Sequence, residues 1–149
     1  MAADSGSAWP ALSIEDANRK LAEPGTPLAV SEGVIDGISM KYYPEAPPTI
    51  RFLAEASALH GDRDFLVYEH ERASFLAHLK AVSHLAHALK DEFGIAKGDR
   101  VAIIMRNYPQ WSVAFFAALS IGAIVTPMNS WWTGEELEYG LQNSGNIFI

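Results

Sequence analysis

From residue 65 onward the chain alternates between two kinds of hydrophobic pattern. Short continuous apolar blocks occupy 65–69, 101–105 (VAIIM), 124–128 (IVTPM) and the closing NIFI of 146–149. Between them lie longer stretches whose apolar positions recur with a period near 3.6, the mark of helices that bury one face. After Ser74, residues Phe75, Leu79, Val82, Ala86, Leu89 and Phe93 share a face, while Lys80, His84 and Asp91 lie opposite. The stretch 109–121 is apolar almost all round, with Trp111, Phe115, Phe116 and Leu119, which asks for cover on more than one side. Short strands alternating with helices predict an α/β fold of three layers, with a mostly parallel sheet, right-handed crossovers and helices on both faces. In it, 101–105 and 124–128 are expected as central strands because they are apolar nearly throughout.

The first 47 residues have a different pattern. Ser13-Ile-Glu-Asp16 has the spacing of a helix cap, and Pro24-Gly25 closes the short helix it would open. Asp36-Gly37, flanked by apolar residues within 34–43, has the chemistry of a two-residue hairpin turn. Pro44, Pro47 and Pro48 then serve as a linker, and Thr49 can cap a helix that ends at Gly61. Two regions are therefore expected: a leader with a short helix and a hairpin at 1–47, and a partial α/β unit at 48–149. The chain stops just as NIFI opens a buried strand, so the expectation is a domain cut short, with apolar surface and a sheet edge left free for self-association.

Composition narrows the functions. At 149 residues and 49% hydrophobic, the chain can bury a real core. A formal net charge of −7 would repel a polyanion, which excludes nucleic-acid binding. The absence of cysteine removes disulfides, thiolate zinc sites and a cysteine nucleophile. The acidic, polar start MAADSGSAW is unlike a signal peptide, so a cytoplasmic location is expected. No charge falls between Arg106 and Glu135, but Pro109, Gly122, Pro127 and Asn129 interrupt that stretch. Its apolar run is too short for the roughly 30 Å hydrocarbon core, so no transmembrane segment is expected.

Chemistry in a parallel α/β sheet belongs beyond the carboxyl ends of the strands. After VAIIM comes Arg106-Asn107-Tyr108-Pro109, without the glycines that let a backbone approach a phosphate, and neither GxGxxG nor GxxxxGK[ST] occurs. Tyr68-Glu69-His70-Glu71 reads as a polar turn rather than a cluster of receiver aspartates. His84 and His87 have a spacing that can bring two imidazoles to one metal, but no third ligand accompanies them and a solvated face explains both. His60 stands where an imidazole can cap helix carbonyls, and His78 reads as a hydrogen-bonded residue bordering the apolar face. Trp131-Trp132 could line a ligand channel or a partner surface, although packing is the plainer role. Asp99-Arg100 reads as a strand-entry turn with a local ion pair. No catalytic, cofactor-binding or metal-ligating residue is assigned within the chain.

Taken in order, Gly98-Asp99-Arg100-Val101-Ala102-Ile103, Asn107, Pro109, Trp111, Phe116-Ala117-Ala118, Gly122-Ala123, Pro127, Asn129 and Glu135-Glu136-Leu137 resemble the N-terminal subdomain of adenylate-forming enzymes, especially the fatty-acid-CoA ligases. Ala73-Ser74-Phe75 and Asn143-Ser144-Gly145-Asn146 are mild departures from that pattern. The resemblance covers roughly 48–149 and makes these positions scaffold. For the complete protein it implies an acid activated by ATP with magnesium to an acyl-adenylate, then transferred to CoA. In the family, the phosphate loop, the later acidic residues and the catalytic lysine would all lie beyond Ile149, so the chain alone is expected to be inactive. A self-contained α/β binding or interaction module on the same scaffold is the alternative.

Overall fold

The computed structural model describes residues 11–146 and residue 148. The chain folds as two units, Met1–Pro47 and Pro48–Ile149.

In the first unit, helix α1 (Ile14–Leu21) is capped by Ser13, whose hydroxyl accepts from the Asp16 amide at 3.1 Å. Strands β1 (Ser31–Ile35) and β2 (Ile38–Tyr42) pair antiparallel. The two residues between them, Asp36 and Gly37, both have positive φ, +50° and +82°, which is the backbone a two-residue turn of matching twist requires.

The second unit opens with α2 (Ile50–Ala56), where the Thr49 hydroxyl accepts from the Phe52 amide at 3.2 Å. The helix tightens into a 3₁₀ turn over Ser57–His60 and stops at Gly61. Strand β3 (Asp64–Tyr68) comes next, and here the structure corrects the expectation that this strand leads directly into a helix as part of a mostly parallel sheet. β3 turns back through Glu69 and His70 and pairs antiparallel with β4 (Glu71–Ser74). Glu69 takes a positive φ of +47° to make the turn. Helix α3 (Phe75–His87) comes after it, capped by Ser74, and continues as one π turn over Ala88–Glu92.

The remaining elements are β5 (Arg100–Ile104), α4 (Pro109–Ser120), β6 (Ile124–Met128) and α5 (Gly134–Ser144). β5 and β6 are parallel and in register, Val101 opposite Val125 and Ile104 opposite Met128. Phe148 adds a parallel bridge at Val101, with the Ala102 amide donating to the Phe148 carbonyl at 2.8 Å. β5 therefore has neighbours on both edges, whereas β6 is paired on one edge only among the described residues. Of the sheet expected in this unit, the described residues show this parallel pair, with β3 and β4 forming a separate hairpin.

The core explains why the pair holds. Val82 and Ala86 of α3 and Leu89 of the π turn meet Ala117 and Ala118 of α4, Ile95, Ala123 and Val101, with Val125 packed against them. Ala117 and Ala118 have no exposed surface, so α3 and the strands approach α4 closely at those two small residues. Met128 is an odd number of residues from Val125, which turns it to the other face of the sheet. There it sits against Gly140 of α5, whose absent side chain leaves room for its sulfur and for Trp132.

Candidate functional site

The amino ends of the parallel pair are pinned by turns. The Ala96 amide donates to the Asp99 carboxylate at 2.7 Å, the Asp99 amide returns a bond to the Ala96 carbonyl, and the Gly98 amide donates to Gly122. Asp99 thus closes the turn on its own backbone and forms no ion pair with Arg100 among the described residues, which corrects the expected pairing. The backbone amide of Ala96 is a nearer donor to this carboxylate than the guanidinium on the next residue.

The carboxyl ends look different. After Ile104, β5 runs into Met105-Arg106-Asn107-Tyr108, and Pro109 starts α4 at a position where its missing N–H costs nothing. After Met128, the Asn129 side-chain oxygen accepts from the Trp131 amide at 3.0 Å and its carbonyl from the Trp132 amide at 3.1 Å. That turn throws Trp131 outward, 75% exposed, beneath the Arg106 guanidinium, which lies 4.8 Å from the indole centroid and 5.9 Å from the Tyr108 ring. Tyr108 in turn meets Tyr68 edge to face at 5.6 Å.

Between these groups is a hollow of about 480 Å³ lined by Tyr68, Arg106, Asn107, Trp111, Asn129 and Trp131, among others. It carries one cation, several amide and aromatic groups and no carboxylate. Such a lining suits a planar or anionic ligand portion, held by stacking and by the guanidinium. Of the two tryptophans singled out in sequence, Trp131 faces this hollow, whereas Trp132 packs toward Gly140. Arg106 is the residue sequence reasoning passed over; its position directly after a buried apolar strand was the available signal.

The histidines fall elsewhere. His78 is 5% exposed, bonded through Nε2 to the Ser112 hydroxyl at 3.0 Å and set edge-on against Phe65 and Phe116. Desolvation lowers its pKa, with the Ser112 hydrogen bond acting in the opposite direction, so the imidazole is stored neutral. His60 does not cap carbonyls: its Nδ1 faces the Arg63 guanidinium and its ring lies against Phe75 at 4.6 Å. His84 and His87 are exposed, and His87 Nδ1 donates to the Ser83 carbonyl at 2.7 Å. Among the described residues no three His, Asp or Glu side chains come together as metal ligands, and no helix is long and apolar enough to cross a membrane.

Among the described residues, the turn from β5 into α4 does not have the make-up of a phosphate cradle. The loop from β5 into α4 has no glycine, and its first helical position is a proline without an N–H.

Comparison with known proteins agrees with this geometry. The family model for AMP-binding enzyme matches residues 53–149. An acyl-CoA ligase of Beauveria bassiana is 50% identical over 62 residues, 42% of this chain and 11% of that protein. A long-chain-fatty-acid–CoA ligase of Haemophilus influenzae is 43% identical over 61 residues, 41% of this chain and 11% of that protein. The N-terminal domain of FACL13 from Mycobacterium tuberculosis superposes with a TM-score of 0.64 at 26% identity, covering 68% of this chain and 26% of that one. The match thus spans about a tenth of the length of these curated relatives. With a family model matching about two thirds of its length, the chain belongs to the AMP-binding, adenylate-forming enzyme family.

Proposed function

We propose that this chain is the N-terminal portion of an AMP-forming acid–CoA ligase, with 48–149 as the first part of its N-terminal α/β subdomain and 1–47 as a leader. The complete enzyme activates a carboxylic acid, a fatty acid in this reading, to an acyl-adenylate at the expense of ATP with magnesium, and passes the acyl group to the CoA thiol. The match of residues 53–149 to the family is the observation that carries the reading. The hollow at the carboxyl ends of β5 and β6 supports it, because that is the edge of a parallel sheet where ligands bind. Its Arg106 and Trp131 are the residues this portion would offer to a bound substrate. A cytoplasmic location goes with that chemistry.

Carboxylate attack on a polyphosphate needs cations and backbone amides around the developing charge, and the described residues do not supply that set. The 149-residue chain alone is therefore expected to give no carboxylate-dependent ATP–pyrophosphate exchange. A chimera of the Haemophilus ligase, in which residues 53–149 of this chain replace the matching segment, is expected to retain exchange and thioester formation with fatty acids. Robust exchange by the isolated chain, or a folded chimera inactive with every acid, would overturn the proposal.

A further inference from the structure

A second hollow lies at the opposite, amino end of the parallel pair. It is a half-open groove of about 880 Å³, within the few hundred to roughly 1,000 Å³ typical of small-molecule sites. Its floor is apolar: Leu79, Val82 and Ala86 along one stripe of α3, with Ile95 and Ile121 from the loops that enter β5 and β6. Its rim carries the cations Arg51 of α2, Lys90 in the π turn and Lys97 before β5, against the single carboxylate of Glu55, with His87 at the end of α3 beside them. In a chain of net charge −7 with 11 lysines and arginines, three of those cations on one rim oppose the overall balance.

The rim groups are also available. Among the described residues neither Lys90 nor Lys97 has a carboxylate within 4.0 Å. Arg51 meets Glu55 through Nε at 2.7 Å, which leaves its two terminal amino groups free of that bond. His87 spends Nδ1 on Ser83 and keeps Nε2. The Lys97 stem lies on Gly122 so closely that a Cβ there would meet its Cγ at 3.0 Å, so the backbone at Gly122 steadies this lysine beside the groove. Cations in the last turn of a helix can also offset its carbonyl dipoles. That accounts for Lys90, but not for Arg51 and Lys97, which arrive from two other elements.

We propose that this groove binds one molecule of a single-chain anionic amphiphile, the simplest case being a free long-chain carboxylate. Its acyl chain lies on the stripe of Leu79, Val82 and Ala86, and its head meets Lys90, Lys97 and Arg51. An apolar trough alone would accept any hydrocarbon; the rim selects the anionic head. The site stands at the opposite edge of the sheet from the Arg106–Trp131 hollow, and it does not depend on the ligase reading.

The test is calorimetric titration of the 149-residue chain at neutral pH with dodecanoate below its micelle concentration, alongside acetate, dodecyltrimethylammonium and vesicles of phosphatidylcholine with phosphatidylglycerol. Saturable one-to-one binding of dodecanoate is expected, with acetate and the cationic amphiphile each weaker by about tenfold or more. The Lys90→Glu/Lys97→Glu variant is expected to weaken it by about tenfold or more, and Lys20→Glu/Lys80→Glu, an equal charge change on two exposed residues outside the groove, to leave it unchanged. Circular dichroism confirms that the variants fold, and Lys90→Gln/Lys97→Gln replaces the charge reversal if it does not. Methyl chemical shifts of Ile95 and Ile121 should move on titration. No saturable binding, binding indifferent to the two lysines, shifts confined to the Arg106–Trp131 hollow, or capture by anionic vesicles without binding of the monomeric carboxylate would each overturn the proposal.

Discussion

The two units use the same local chemistry and reach different ends. Both have capped helices and a hairpin, yet in the described part of Met1–Pro47 Ala29 is the one buried residue, and α1 buries none. Val34 and Ile38, on the hairpin, are 71% and 63% exposed. In Pro48–Ile149 the helical stripe of α3, the small residues of α4 and the strand β5 interlock around Val82 at 2% exposure. Caps and turns contribute about 1 kcal/mol or less each and decide where an element begins and ends. Apolar burial decides whether it persists, because a lone hairpin or a short helix is marginal in water.

Breaking the core should therefore give the largest effect. Val101→Asp places a carboxylate among Val82, Ala117 and Val125 with no cation facing it, at a cost of about 4 kcal/mol or more. Against a typical total of roughly 5–15 kcal/mol, that should abolish the cooperative thermal transition of the second unit, read by far-UV circular dichroism. A variant that still melts cooperatively near the wild-type midpoint would mean that the core is not where it is drawn.

The exposed apolar residues of the first unit and the one-sided β6 edge lead to the second expectation, self-association at micromolar concentration. A patch of about 400 Å² represents a gross driving force of order ten kcal/mol, much of which association entropy offsets. Light scattering over a dilution series measures it. Val34→Lys with Ile38→Lys should reduce it if the hairpin is the contact; Ile147→Lys with Ile149→Lys should do so if the last residues are, although those two lie outside the described residues. A strictly monomeric chain throughout the micromolar range would contradict both.

A buried neutral imidazole makes the second unit sensitive to acid in a way the first is not. Because burial lowers the His78 pKa below the ordinary value of about 6.5, the unfolded chain takes up a proton before the folded one does. Stability should be steady above that value and fall as pH drops through it, flattening only once folded His78 is itself protonated. Urea unfolding from pH 7.5 to 5 should show this slope in wild type and a shallower one in His78→Leu. Parallel slopes in the two would assign the acid sensitivity to other groups.

How much of this was legible depended on the range of the signal. The stripe Val82, Ala86, Leu89 was readable because a helix repeats its burial every turn, and the Thr49 cap because a cap is a local bond. Phe93, placed on the same stripe, is instead 56% exposed: the π turn over Ala88–Glu92 adds a residue to the turn and rotates the residues after it, leaving Phe93 beside Phe148. Strand β4 was missed although the polar turn before it was read, because Glu71-Arg72-Ala73-Ser74 has no apolar block to mark a strand. The meeting of Arg106 with Trp131 left no pattern either. It exists only because parallel pairing brings the ends of β5 and β6 together, and neither residue announces the other along the chain.

At the level of single caps the two units should respond alike in size but not in reach. Thr133 and Glu136 satisfy each other's backbone amides at the start of α5, the Thr133 amide donating to the Glu136 carboxylate at 2.7 Å. Thr133→Ala should cost about 1 kcal/mol and lower the melting midpoint of the second unit by a few degrees. An unchanged midpoint would show that α5 unfolds separately from the core.

The smallest effect sharpens the comparison most. Gly37 holds φ +82° in the turn between β1 and β2, a conformation that costs a residue with a Cβ about 1 kcal/mol. Nothing lies within 4 Å of where that Cβ would be, so Gly37→Ala adds backbone strain without a steric clash. A hairpin with almost no buried surface has little stability to spare, so amide exchange across Ser31–Ile35 and Ile38–Tyr42 should speed up severalfold, by the factor of five or so that about 1 kcal/mol represents. The melting of the second unit should stay where it was. If Gly37→Ala lowered that transition as well, the hairpin would be contributing to the core's stability, and the contrast between a unit held by turns and a unit held by burial would have to be abandoned.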